Sequence, residues 1–543
     1  MEDVAMIDLS VRYADAVFVA AVVHPDPQCP QVRHRAFAVT DGYVVAIADR
    51  LEELTDVVGP QTRRIELSGG YVLPGFDDTH THLMAAADAV GAVELDGVGT
   101  VGELLRLLRL HAKTKRAGQW ILTGSHWQEL NLAERRLPTR AELDSVSTDH
   151  PILVTRGGHN AVANSLALAM AQVGEDVTDM PGGRFGRDVD GRLDGRLLDN
   201  AVHVVSRVVP AVDFDARISA INIASRKYAA SGITTVRDCY VAASDLTLLK
   251  AAYAAGALHV RMRVLVGIPP MASPAQLREL LDSLATWHTE NDDFLRVWGV
   301  KFVFDGGLEA GATIEPYRSR SDYFGLLTWD PGALEAAIEQ VLAAGWKVGV
   351  HAYGDRAVEE LLSIFARVRS RHPQLADGSL VIEHAGLTNP EQRRRVAALG
   401  VAVTIQQPLL HDAAHVQQYY WGRRRTARLF PARSWMAAAV TVAAGSDYPV
   451  GKFGAMRSVW GLTTRRTVVG VLGASEIIDR RAAIVLHTTE AARLLNEHLT
   501  RGRLWPGHAA DFTVWPVNPY HAPTDELKEL LPVQTWVGGV QRA

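Results

Sequence analysis

The sequence predicts an α/β fold: a (β/α)8 (TIM) barrel with a composite β-sandwich built from both termini and a large insertion after strand one. Three observations lead there. Short Val-rich runs fill the first ~70 residues and return at the far C-terminus. Between them, short apolar runs alternate with longer helical stretches such as GALEAAIEQVLAAG, as in βα units around a parallel sheet. Eight such runs can be counted, the number a barrel needs. An open doubly wound sheet is the alternative that this alternation leaves standing.

Taken in order, ADAVFVAAVVHP, RHRAFAVTDGYVVAIAD and RRIELSGG read as strands, with Asp41-Gly42 as a hairpin turn. ADFTVWPV and QTWVGGVQRA supply matching strands at the other end, with Gly538-Gly539 as a turn. Chain ends commonly lie close together, so 1–70 and 496–543 are expected to form one β domain. The barrel strands are expected at 71–76, 232–238, 259–267, 297–304, 346–351, 379–384, 401–406 and 440–447, placing the barrel at 71–84 and 231–495. The first start-to-start interval is 161 residues, so residues 85–230 form an insertion expected to cover the active site. Within it, Thr100 and Glu103 stand at capping-box spacing before VGELLRLLRLHAK. QWILTGSH and PILVTRGG read as strands, and RFGRDVDGRLDGRL as a turn-rich stretch.

Composition excludes several classes. The 543 residues are 48% hydrophobic and 22% charged, with a net charge of −5. That balance gives no electrostatic reason to expect nucleic acid. No run is long and apolar enough to span a bilayer, and MEDVAMIDLS lacks the regions of a signal peptide, so no membrane partner and a cytoplasmic location are expected. Cys29 and Cys239 are the only cysteines, so any metal must rest on nitrogen and oxygen ligands.

LPGFDDTHTH puts His80 and His82 two apart at the end of an apolar strand, with both side chains on one face. Lys301 lies in the fourth strand, and His351, His384 and Asp447 close the fifth, sixth and eighth. In a barrel these residues converge, because catalytic groups gather at the C-terminal strand ends. Lys301 among Val and Phe would be a costly desolvated cation. It needs either a carboxylate partner such as Asp305 or reaction with CO2 to an anionic carbamate able to bridge two ions.

This order of H-x-H, Lys, His, His and Asp resembles the amidohydrolase superfamily in its binuclear form. The flanks LPGFDDTHTH, KFVFDGGLE, HAYGDRAV, IEHAG, QQP and GSDYPV resemble the amidohydrolase family 3 branch, which includes N-substituted formamide deformylases. The resemblance covers essentially the whole chain. It implies that His80, His82 and Asp447 hold the more buried metal and that His351 and His384 hold the second. Two zinc ions bridged by carboxylated Lys301 are the implied cofactors, with Asp447 also moving the proton. The implied activity is hydrolysis of a C–N bond, an amide or N-formyl amine, in a small-molecule substrate. Lactone or ester hydrolysis on the same site is an alternative. Deamination is disfavoured, because Gly354 stands where mononuclear deaminases carry Glu. A non-catalytic metal-binding regulatory protein is a further alternative from another class. The resemblance also allows a homodimer, for which the residues themselves carry no signal.

Other positions have weaker signals. His159 follows an inserted strand in a Gly-Gly-His element, where the branch has Asp-Gly-His; it is a candidate oxyanion donor. His126 and Trp127 end the other inserted strand and are candidate substrate contacts, with packing as the competing reading. Gln407, with Pro408, follows strand seven and is a candidate pocket residue. Trp421, with Tyr419 and Tyr420, is either an aromatic wall or the packed side of a loop. Asp355 and Arg356 are read as loop organisers, and Cys239 as inert. Gly97, Gly99 and Gly102 match a dinucleotide fingerprint without its βαβ context. Asp188, Asp190 and Asp194 read as turns, not a calcium loop.

Overall fold

In the computed structural model the described residues are 13–543, except 68–69, 126, 158–159, 181–182, 211 and 271. Eight parallel strands make the central sheet: β1 (Phe76–Thr81), β2 (Ile233–Val241), β3 (Arg261–Gly267), β4 (Leu295–Val303), β5 (Lys347–Ala352), β6 (Leu380–His384), β7 (Ala402–Ile405) and β8 (Val442–Ala444). They pair in sequence order from β1 to β8. The seam between β8 and β1 is bridged by Thr79 Oγ1 donating to Ala444 O at 3.0 Å and by Asp447 N–H donating to His80 O at 2.8 Å. The sheet therefore closes nearly into the expected barrel.

The strands are buried on both faces, which explains their continuous apolar texture. Outward residues such as Val264, Val300, Val348 and Ile382 pack in the large core shared with the helices. Inward residues Leu265, Trp298, Val381, Ala402 and Ala443 form a separate cluster with Ala491, Leu494 and Leu495 of the helix Thr489–Leu495. The Trp298 indole donates to Leu495 O at 3.2 Å.

The apolar run expected as the first barrel strand is two strands. Tyr71–Pro74 pairs with Ala16–Val23 and Phe512–Trp515, whereas Phe76–Thr81 pairs with β2. Both halves are buried, so hydropathy runs through the junction and does not reveal it. The same junction joins the barrel to an eight-stranded sheet drawn from both chain ends. Phe18 stacks on Phe37 with centroids 5.0 Å apart, and Phe512 meets Phe18 edge-on at 5.1 Å. The Asp41-Gly42 turn joins two antiparallel strands, with φ of 51° and 82° as such hairpin turns require.

The insertion carries its own five-stranded sheet. Thr100 caps the helix Val101–Ala112 by accepting from Glu103 N–H, while Glu103 reaches back to Gly99 N–H at 3.1 Å. Asp188 accepts from the N–H groups of Asp190 and Arg192, both at 2.9 Å, in a turn before the strand Leu193–Asp199.

Candidate metal centre

The C-terminal ends of the barrel strands bring five expected ligands into one cluster. His80 lies inside β1, and His82 follows it directly. The two side chains share a face, and their ring centroids are 5.5 Å apart. His82 Nε2 and His80 Nε2 lie 3.0 and 3.4 Å from the same oxygen, Asp447 Oδ1. His384 packs against His80 and against His351, with centroids 4.5 Å apart in each case. Ligand atoms of His80, His384 and Asp447 all lie within 4.8 Å of one another.

Two members of the cluster depend on unusual backbone. Asp447 lies three residues beyond β8, with φ of 58°, and His384 has φ of 70°. In a regular strand consecutive side chains point to opposite faces. The left-handed turn at His384 breaks that alternation, so Glu383 and His384 both face the cluster.

Two imidazoles of the cluster are held in the neutral form. Burial, with the nearby Lys301 charge adding to it, pushes His351 down to about 3. Burial first, then neighbouring His351 and His80, holds His384 well below the ordinary imidazole range. Both rings are therefore neutral and carry a lone pair. Burial works against charge on Asp447, but the contacts with His80 and His82 outweigh it and keep the carboxyl well below its usual range. His351 Nε2 lies 3.3 Å from Gly306 O. A carbonyl only accepts, so Nδ1 is the ring nitrogen left with a lone pair.

Lys301 is 2% exposed, on β4. The Lys301–Asp305 pair weighed from the sequence does not form. Asp305 instead accepts from the N–H groups of Ala312, Tyr353 and Gly354, each at 2.9 Å, and burial pushes its carboxyl up to about 7. Among the described residues no carboxylate forms an ion pair with Lys301. The buried lysine stands beside the neutral rings of His351 and His384, and its charge helps to hold the Glu383 carboxylate ionised.

Other expectations fare differently. His126 and His159 lie outside the described residues. Trp127 is buried in the insertion core, and its indole donates to Thr155 O at 2.7 Å, as the packing reading expects. Gln407 also turns away from the cluster; its amide oxygen accepts from Arg465 at 3.2 Å. The preceding residue, Gln406, makes the contact instead, with Oε1 2.7 Å from His384 Nδ1. Trp421 is buried behind Tyr353, with rings 5.4 Å apart, and Tyr353 in turn lies 5.6 Å from His384. Cys239 lies within β2 and is fully buried. Asp355 accepts from Ile314 N–H at 2.8 Å, as a loop organiser should.

Reading the sequence missed Asp78, Arg237, Glu383, Thr404, Gln406 and Ser446. All are buried polar residues in or beside apolar strands, the same signal that singled out Lys301.

The chain matches the amidohydrolase family over residues 63–543. It is 26% identical to an N-substituted formamide deformylase of Arthrobacter pascens, covering 100% of this chain and 98% of that protein. It is 28% identical to the protein LONG AFTER FAR-RED 3 of Arabidopsis thaliana, covering 93% of this chain and 88% of that one. An uncharacterized metal-dependent hydrolase from Pyrococcus horikoshii shares the fold with a TM-score of 0.75 at 21% identity, covering 94% of this chain and 99% of that one.

Proposed function

Since the chain belongs to the amidohydrolase family, we propose that it is a divalent-metal-dependent hydrolase of C–N bonds, acting on amides or N-formyl amines of small molecules. The observation that carries this reading is the convergence of His80 Nε2 and His82 Nε2 on Asp447 Oδ1, with His384 alongside. Three imidazoles and a carboxylate are an ordinary donor set for zinc. In this reading His80, His82 and Asp447 would hold one ion and His351 and His384 a second, with Lys301, as a carbamate, supplying the shared anionic ligand. Cations bound there lower the pKa of water towards neutrality and polarise a carbonyl oxygen.

The residues supply the rest. Asp447 is ionised, so it can accept the proton of the attacking water and pass it to the departing amine nitrogen. Its left-handed backbone turns the carboxylate towards His80 and His82. His159 is proposed to donate to the oxyanion, and Trp421 is proposed to back the substrate pocket through Tyr353. The formamide-cleaving relative supports the choice of bond.

The test uses the purified chain before and after chelation. N-substituted formamides, N-acyl amines, esters and lactones are assayed in parallel. Cleavage of a formamide or amide, lost on chelation and restored by zinc, manganese or cobalt, is the expected result. Full turnover in metal-free protein would end the reading, and turnover of esters or lactones alone would replace the bond assignment.

A further inference from the structure

Beneath the cluster a chain of hydrogen bonds joins the two central histidines. His384 Nδ1 lies 2.7 Å from Gln406 Oε1. Gln406 Nε2 donates to Thr404 Oγ1 at 3.0 Å, and Thr404 Oγ1 donates to Glu383 Oε2 at 2.7 Å. His80 Nδ1 lies 2.7 Å from that same Glu383 oxygen. The other oxygen, Oε1, forms an ion pair with Arg237 at 2.7 Å. Arg237 is fully buried and lies 4.3 Å over the Trp298 ring. A Cβ at Gly349 would stand 2.5 Å from Glu383 Oε1 and 3.1 Å from Arg237 Nη2, so a residue without a side chain makes room for the pair.

The direction of every bond in this chain follows from one end. A carboxylate carries no hydrogen and can only accept. His80 must therefore donate from Nδ1, so Nε2, the nitrogen facing Asp447, is the one open to a metal ion. Thr404 must also donate to Glu383, so its oxygen is free to accept from the Gln406 amide. That fixes the Gln406 carbonyl toward His384, which must donate from Nδ1 and keep its lone pair on Nε2. We propose that Glu383, anchored by Arg237, is a positioning residue that sets the tautomers of His80 and His384 together, so that both present Nε2 to a metal ion. The inference rests on the proposed metal site and adds to it a single carboxylate that governs two ligands from different strands.

Glu383→Gln breaks this logic. An amide must donate as well as accept, and Arg237, Thr404 and His80 all need an acceptor. The variant Arg237→Met/Glu383→Gln removes both charges, so it orphans no buried ion and keeps the test open should the single variant not fold. Affinity for zinc is read by competition with a chromophoric chelator, and folding by thermal melting. We expect about tenfold weaker binding in the double variant and ten- to a hundredfold weaker in Glu383→Gln, the range for loss of a partner behind a ligating histidine. Every binding step that titrates should weaken. Arg263→Met/Glu497→Gln removes another buried ion pair, joined at 2.6 Å at the opposite end of the barrel, and should leave affinity within twofold. Wild-type affinity in the Glu383 variants, an equal loss in the Arg263/Glu497 control, or a loss confined to one of two steps would overturn the proposal. A wild-type chain that takes up no divalent ion would remove the metal site itself, and this inference with it.

Discussion

Asp78 grips Ser446 with both carboxylate oxygens: one accepts the Ser446 N–H at 2.9 Å, the other its hydroxyl at 2.6 Å. The Ser446 hydroxyl oxygen in turn accepts from Tyr448 N–H at 3.0 Å. Asp447 stands between these two residues, so the clasp fixes the left-handed turn that aims its carboxylate. Asp78 belongs to β1 and Ser446 to the segment after β8, so the clasp also spans the barrel seam. We expect Asp78→Ala to cost roughly 1–3 kcal/mol of stability through unpaired buried donors. It should lower kcat at least tenfold while KM changes little. A variant with full kcat would show that Asp447 is held by other contacts.

Lys301 provides a second test. If it bridges two cations as a carbamate, metal uptake by the stripped chain needs dissolved CO2. Reconstitution in bicarbonate-free buffer should restore less than half the activity reached with added bicarbonate. Lys301→Met should bind at most one ion by elemental analysis. Two ions in Lys301→Met, or reconstitution indifferent to bicarbonate, would remove the bridge.

Much of this arrangement was legible in the sequence because barrel strands carry their chemistry at their ends. His80, His82, His351, His384 and Asp447 stood out as polar residues closing apolar runs, and strand order alone placed them together. What stayed hidden depends on the backbone between elements. The division at Gly75 could not be read, because the run YVLPGF stays apolar across it and both flanking strands are buried. Glu383 was passed over because period-two alternation sends it away from His384; the left-handed turn at His384 brings both inward. Gln406 and Gln407 are adjacent and chemically identical, so only the geometry at the end of β7 distinguishes the one that meets His384. Trp127 has the composition of a pocket residue, but its indole is committed to Thr155 within the insertion.

Asp77 gives a prediction in pH. It is 5% exposed, and its Oδ2 has no hydrogen-bond partner among the described residues. Burial pushes its carboxyl up to about 8, against roughly 3.9 in an unfolded chain. The folded state therefore holds a proton that the unfolded state releases. The stabilising contribution is fully present below about pH 4 and is lost as pH rises through about 8. Asp77→Asn keeps the neutral form at all pH values. Its melting temperature should exceed wild type by several degrees at pH 8.5, with the gap closing towards pH 4. A gap that is constant with pH, or that widens on acidification, would contradict the assignment.

The last prediction concerns the insertion. Arg156 ends its strand Ile152–Arg156 and is 6% exposed. Its guanidinium pairs with Glu129 at 2.8 Å inside the insertion and with Glu309 on the loop after β4. That loop lies at the same end of the barrel as the histidine cluster, so the Arg156–Glu309 pair ties the insertion to that rim. Removing the arginine leaves two carboxylates facing each other, and breaking a buried pair this way costs about 3–5 kcal/mol. If the insertion covers the site, Arg156→Leu should speed proteolytic cleavage within residues 85–230 and raise KM about tenfold, with a smaller change in kcat. Arg156→Leu/Glu309→Gln removes one of the two stranded charges and should recover part of the loss. Unaltered cleavage together with an unaltered KM would mean that the ion pair contributes nothing to holding the insertion at the rim.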